Sequence, residues 1–248
     1  MSARIVLLVF SSLLAAPVFA ACEDPPRPKV NWAGCDLSGR NLAGLDLRQA
    51  VLSRADLTGA DLSRTRLDDA DLGDAVLRGA RLVRLKADRA RLVGADLTGA
   101  DLSRARLRGA VLDRAVLRDA DLSGAILDGA HFYDTVFTGA VLRRASLRDA
   151  SLEQADLSGA DLVEADLSGA KMPGARLEEA RLQGAKLIKT DLTGADLADA
   201  DLSGADLSRA SLADADLTGA RLDGARLGST IWTDRRRCRR DAVERCRD

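Results

Sequence analysis

Aromatic residues make up 3% of this 248-residue chain, histidine occurs once, and the four cysteines lie only near its two ends. Each scarcity removes a class of function. Nucleophilic catalysis asks for a base beside Ser or Cys, and the lone His131 has no Cys beside it in the pattern described below. One His and four end-located cysteines do not make a closed metal-ligand set. Neither G-x-G-x-x-G nor G-x-x-x-x-G-K-S/T occurs, so nucleotide binding lacks its phosphate cradle. Accordingly no enzyme, no cofactor and no metal site is expected. An excess of charge of one sign is missing too: 37 basic side chains stand against 38 acidic ones.

Long apolar runs are confined to the start. Residues 1 to 20, MSARIVLLVFSSLLAAPVFA, place Arg4 before an apolar run from Ile5 and end on small residues ahead of a polar stretch. This predicts a secretory signal peptide, with an uncleaved anchor as the alternative. Nothing later approaches the ~20 continuous apolar residues of a membrane span. The expected location is therefore periplasmic or secreted, where Cys22, Cys35, Cys238 and Cys246 become candidates for disulfides. Phe19-Ala20-Ala21-Cys22 also stands one residue from a bacterial lipobox, which has Leu at the place of Phe19. A lipid anchor at Cys22 would leave an odd number of cysteines.

What the chain has in abundance is one pattern. From Cys35 to Trp232, Leu recurs every five residues, and only Ala87, Phe132, Phe137 and Met172 replace it among 39 positions. Two residues before each Leu stands a small residue, usually Ala, with a variable polar one between them. On a helix, at about 100° per residue, successive Leu would drift around every side; on one long strand they would alternate faces. A broken strand solves both problems. In "ADL" the Ala and Leu point inward and the Asp outward, and the following "SG" or "TG" turns the chain, so that stacked coils bury a continuous Leu and Ala core.

The A-D/N-L-x-x repeat, as in ADLSGADLVEADLSGA at 155 to 170, resembles the pentapeptide repeat family over about 200 residues. The resemblance implies an all-β fold, a right-handed quadrilateral parallel β-helix with four pentads per coil. The 39 pentads then make about ten coils and, at ~4.8 Å per layer, a rod of roughly 48 Å. Departures from the pattern fit this picture. Leu85-Lys86-Ala87 exchanges the large and small inward residues and keeps the core volume. Thr65, Thr135 and Thr190 replace inward Ala, where a hydroxyl can bond local backbone. Arg40 takes an inward position, tolerable only because it lies in the first coil beside the cap.

Four regions follow: the signal peptide (1–20), an N-terminal cap (21–34), the β-helix (35–232) and a C-terminal cap or tail (233–248). The first cap carries three Pro, which cannot extend a hydrogen-bonded ladder. Trp32 and Trp232 share the phase of the inward Leu column and are expected to plug opposite ends. On such a rod, bonded cysteines must have Cα atoms within roughly 7 Å, which restricts the pairs to Cys22 with Cys35 and Cys238 with Cys246. The segment IWTDRRRCRRDAVERC resembles the paired-Cys tail of exported members, although Arg235 stands where Gly is expected. A capping helix there would instead hold Cys238 and Cys246 ~12 Å apart as free thiols. Both forms remain open.

A core filled by Leu and Ala confines function to the outside. Residues 76 to 148 carry 14 basic and 8 acidic side chains, whereas 149 to 216 carry 6 and 15, so the rod is bipolar lengthwise. Positions twenty apart share a face. Asp36 with Asp56, and Asp196 with Asp216, make acidic steps; Asp161, Arg181, Asp201 and Arg221 alternate in sign. Some members of the family imitate DNA and bind type II topoisomerases, which calls for a continuous acidic face and a cytoplasmic address. Ice binding calls for outward Thr columns, which this chain lacks. The stretch HFYDTVFTGA at 131 to 140 holds the only His and Tyr. Its Phe132 and Phe137 fall on the inward phase, leaving Val111, Val116, His131, Tyr133 and Val136 as a possible contact patch on one edge. The expectation is an exported, non-enzymatic rigid scaffold or protein-interaction module with an unknown protein partner and no nucleic acid. The alternatives are a topoisomerase-directed DNA mimic and a lipid-anchored envelope protein.

Overall fold

A computed structural model describes residues 22–246; the expected signal peptide, residues 1–20, lies outside them. The outward residue of each pentad pairs in parallel with the one twenty positions on, from Asn31↔Val51 to Ser211↔Ile231. Twenty residues therefore close one coil, and four short sides make its outline.

Within a pentad the backbone bonds are shared in two directions. The Asp56 N–H donates to Cys35 in the coil before (2.9 Å), and the Leu57 N–H donates to Val76 in the coil after (2.7 Å). The Ala60 N–H closes a β-turn onto the Leu57 carbonyl at 3.0 Å. The third residue of that turn, Gly59, has φ of +63°, the left-handed conformation that type II turns require. Only the second turn residue lacks a backbone acceptor. Asp at the outward position supplies one: the Thr58 N–H donates to Asp56 Oδ1 at 2.9 Å, and the Ser158 N–H to Asp156 Oδ1 at 3.0 Å. The preference for Asp in "ADL" thus answers the single amide that the ladder leaves over.

The inward Leu and Ala columns are buried along nearly the whole rod. Full burial of each Leu is worth about 1.5–3 kcal/mol, so the column is the main support of the stack. Leu85 and Ala87 are both buried, and the exchange of large for small residue leaves the core continuous. Thr65, Thr135, Thr190 and Thr230 are buried with their hydroxyls bonded to backbone carbonyls.

At the N-terminal end, the tail crosses the open coil. Trp32 is buried and its indole N–H donates to the Asp24 carbonyl at 3.3 Å, while Cys22 is bonded to Cys35 with Cα atoms 5.6 Å apart. Arg40 does not enter the core although its phase is inward; it is exposed, because no earlier coil covers it and its guanidinium turns to water. At the other end the tail forms a bonded loop and no helix. Cys238 and Cys246 are joined, with Cα atoms 4.9 Å apart, and the tail runs antiparallel through Arg226↔Val243 and Ile231↔Arg237. Arg235 has φ of +66°, the backbone conformation for which Gly was expected. Trp232 is half-buried, so the two Trp differ in how far they are covered. The tail spans only two sides of the last coil. Leu217 and Leu222, on the other two, are half-buried, and their N–H groups find no acceptor among the described residues.

Candidate functional site

The stretch at 131 to 140 is divided by the register. Phe132 and Phe137 are wholly buried and meet edge to face across a corner, ring centroids 5.2 Å apart at 63°. His131 pairs with Val111, and Val136 with Val116, in the coil before. The Tyr133 side chain stands at the corner, 52% exposed, and its N–H donates to Asp113 Oδ1 at 2.9 Å. The structure thus brings Val111, Val116, His131, Tyr133 and Val136 onto one edge of the rod, with the three Val half-buried. In the coil after, His131 pairs with Ser151. Among the described residues no group of side chains is arranged to hold a metal ion.

Charges pair mainly between coils. In the column of alternating sign, Arg181 meets Asp161 at 3.0 Å and Arg221 meets Asp201 at 3.2 Å. At another corner Arg89 grips Asp69 through two bonds of 2.8 Å, and this contact holds the Asp69 carboxyl below its ordinary range. Arg144 does the same to Glu164. Asp88, beside the small Ala87, is nearly buried and is met by the Arg106 guanidinium and the Arg108 N–H. Exposed pairs of this kind add little each, and their regular spacing mainly fixes the side chains of the rod surface.

Earlier coils of the corner that carries Arg144 and Glu164 depart from this pairing. Arg64, Arg84 and Arg104 occupy the left-handed turn position in three successive coils, with φ of 60°, 55° and 57°. None of the three has a carboxylate within ion-pair reach among the described residues, nor does the neighbouring Arg81. They border an open groove of about 770 Å³ that is also lined by Asp61, Ser63, Val83, Ser103 and Ser123. It continues past Arg104 into a smaller hollow flanked by Arg143 and Arg144. A second groove, on the next corner of the same side and in the later coils, is lined by Glu178, Glu179 and Asp199. The two grooves are thus of opposite charge, in keeping with the lengthwise division. Sequence reading had followed only the outward mid-side columns; the same twenty-residue step applied to the turn positions brings out the arginines.

The family model for pentapeptide repeats matches the chain in eight copies between residues 33 and 231. Among solved structures, HetL from the cyanobacterium Nostoc sp. strain PCC 7120, a pentapeptide repeat protein involved in heterocyst differentiation regulation, is 37% identical. The match covers 77% of this chain and 91% of HetL, with a TM-score of 0.59. A pentapeptide repeat protein from the Arabidopsis thaliana thylakoid lumen is 36% identical over 40% of this chain and 70% of its own, with a TM-score of 0.40. QnrB1, a plasmid-mediated fluoroquinolone resistance protein, is 23% identical over 78% of this chain and 89% of its own, with a TM-score of 0.42. No curated protein matches the sequence. With coils closed every twenty residues and the family pattern spanning nearly all of them, the chain belongs to the pentapeptide repeat family.

Proposed function

We propose that this protein is an exported, non-enzymatic scaffold: a right-handed rod of about ten coils, roughly 48 Å long at ~4.8 Å per layer, that engages a partner through its outer surface. The observation that carries the reading is the filled core. Leu and Ala occupy the interior from end to end, so recognition falls to the sides and corners. The low count of aromatic and His side chains supports a binding surface over a reaction centre. The edge formed by Tyr133 and Val136 is one candidate contact. A DNA mimic needs an unbroken acidic face, and the arginine corner interrupts it.

Export is supported by the apolar stretch 1–20 and by the pairing of all four cysteines at the rod ends, the pattern of a chain that matures in an oxidising compartment. Residues 21–34 and 233–248 act as caps on the repeat. Intact mass of natively purified protein, without reductant, tests the reading. Loss of residues 1–20 together with the four hydrogens of two disulfides is expected. An added lipid mass would establish the anchored alternative through Cys22, and a full-length reduced chain would overturn export.

A further inference from the structure

Arg64, Arg84 and Arg104 stack at the ~4.8 Å interval of successive coils, three cations on one line parallel to the rod axis. Such a row is self-repelling, and none of the three is ion-paired among the described residues; the one acid lining the groove, Asp61, lies under Arg81. Elsewhere the same turn position mostly holds Gly, an acidic or amide residue, an arginine tied to a carboxylate, as Arg89 is to Asp69, or an isolated arginine such as Arg54, Arg114 or Arg209. Among the described residues only here do three arginines without an ion pair follow one another in successive coils. Along this very corner the unstrained residue is used at Gly44, Gly124, Gly184 and Gly204. Three consecutive arginines in a left-handed conformation, without partners, gain the folded chain nothing that Gly would not give.

We propose that this corner binds a linear acidic polysaccharide of the polyuronate class, lying along the groove with its carboxylates on the guanidiniums. Three features select that chemistry. The charges are evenly spaced, and an extended 1,4-linked uronic acid polymer carries one carboxylate per sugar ring with alternate rings facing opposite sides, so its same-side carboxylates recur at about every second coil, roughly 9.6 Å, in step with Arg64 and Arg104. An extended acidic peptide presents same-face carboxylates every two residues, about 6.6 Å apart, and falls out of step with the ladder. Single-stranded nucleic acid seeks aromatic platforms for its bases, and none lines this groove. The groove also holds Arg81, which stacks between Asp61 and Asp101, and offers Ser103 and Ser123 as short hydroxyls suited to sugar hydroxyl groups. Arginine is the side chain that meets a carboxylate with two parallel bonds.

The inference takes from the scaffold reading that the outer surface is the working part, and it is tested independently of export. The purified protein is titrated with polygalacturonate, with monomeric galacturonate, with oligo(dT) and with polyglutamate. Saturable, salt-weakened binding of polygalacturonate is expected, stronger than for the other three. The triple variant Arg64→Gly, Arg84→Gly, Arg104→Gly should lose roughly tenfold or more in affinity. A control triple, Arg54→Gly, Arg114→Gly, Arg209→Gly, removes the same charge from other corners and should change affinity less than about twofold. Arg84→Gly alone serves as a milder second variant, expected to weaken binding by a smaller factor. Absence of polygalacturonate binding, equal loss in both triples, or tighter binding of oligo(dT) or polyglutamate would overturn the proposal. The intact-mass result for export stands or falls apart from all of these.

Discussion

The hydroxyl of Thr65 donates a 2.7 Å hydrogen bond to the carbonyl of Leu42, twenty-three residues earlier and in the preceding coil. The same link joins Thr135 to Leu112 (2.8 Å), Thr190 to Leu167 (2.8 Å) and Thr230 to Leu207 (2.7 Å). Thr replaces Ala at these inward places without leaving a buried hydroxyl unpaired, because a turn carbonyl of the neighbouring coil faces it. The Leu112 carbonyl also accepts the Ala115 N–H at 3.0 Å, so it keeps a partner when the hydroxyl is removed. Thr135→Val is therefore expected to cost about 1 kcal/mol, read as a lower urea midpoint at unchanged slope. An unchanged midpoint would show that the hydroxyl bond adds nothing to its coil.

Phe132 and Phe137 fill neighbouring sides of one coil, where Leu stands in the coils before and after. Replacing either by Leu removes ring volume from a packed layer and should cost roughly 1–2 kcal/mol. The double variant should cost less than the two singles together, by about 0.5–1.5 kcal/mol, the worth of the edge-to-face contact. Strict additivity in the double-mutant cycle would mean that the rings act only as separate fillers.

The bond between Cys22 and Cys35 closes the N-terminal tail over the first coil. Replacing both by Ser should lower stability by about 2–3 kcal/mol in the chain-entropy view and hasten hydrogen exchange at Trp32 and Leu37 before coils further on. Uniform loosening of the whole rod would contradict a local capping role.

Asp46 accepts two bonds from Arg48, at 2.8 and 2.7 Å, and this side-chain contact brings its pKa from 3.8 to about 2. Because the folded value lies below the ordinary one, the ionised form favours the folded state. That contribution is complete above pH 3.8 and is lost as pH falls through about 2. Asp36 and Asp216, held low by Ser38 and Thr218, act in the same direction. Carbon-detected NMR should place the Asp46 titration near 2, and Arg48→Ala should raise it toward 3.8. A midpoint already at the ordinary value in the parent protein would remove the contact from the folded state.

Much of the fold was legible in the sequence because a five-residue period with small and large residues two apart admits one geometry, a side with two inward positions and a turn. That rule identified the inward Phe132 and Phe137, and it accommodated the exchange at Leu85 and Ala87. It could not deliver the length of a coil, since every pentad is nearly equivalent to every other; the family resemblance provided that. Events at the ends escaped it because they depend on what is missing above or below. Arg40 leaves its inward phase where no coil covers it, and the tail bonds to the N–H groups of Leu227 and Trp232 and leaves those of Leu217 and Leu222 without an acceptor among the described residues. The arginine corner was overlooked for a different reason. Charge was counted along segments and along mid-side columns, whereas Arg64, Arg84 and Arg104 sit on the turns, where the residue type is usually read as conformational.

The register between coils is what places every one of these contacts, and amide hydrogen exchange reads it directly. In each internal pentad four N–H groups are bonded to backbone carbonyls, three between coils at the outward residue, the Leu and the left-handed turn residue, and one closing the turn. The fifth, at the residue after each Leu, has at most a side-chain acceptor such as Asp56 for Thr58. The predicted result is a strict five-residue rhythm of protection from Leu52 to Leu212, with the fast amide directly after each residue of the inward Leu column and with Leu217 and Leu222 exchanging faster than Leu197 and Leu202. Protection without that rhythm, or equal protection at Leu217 and Leu197, would contradict the twenty-residue coil.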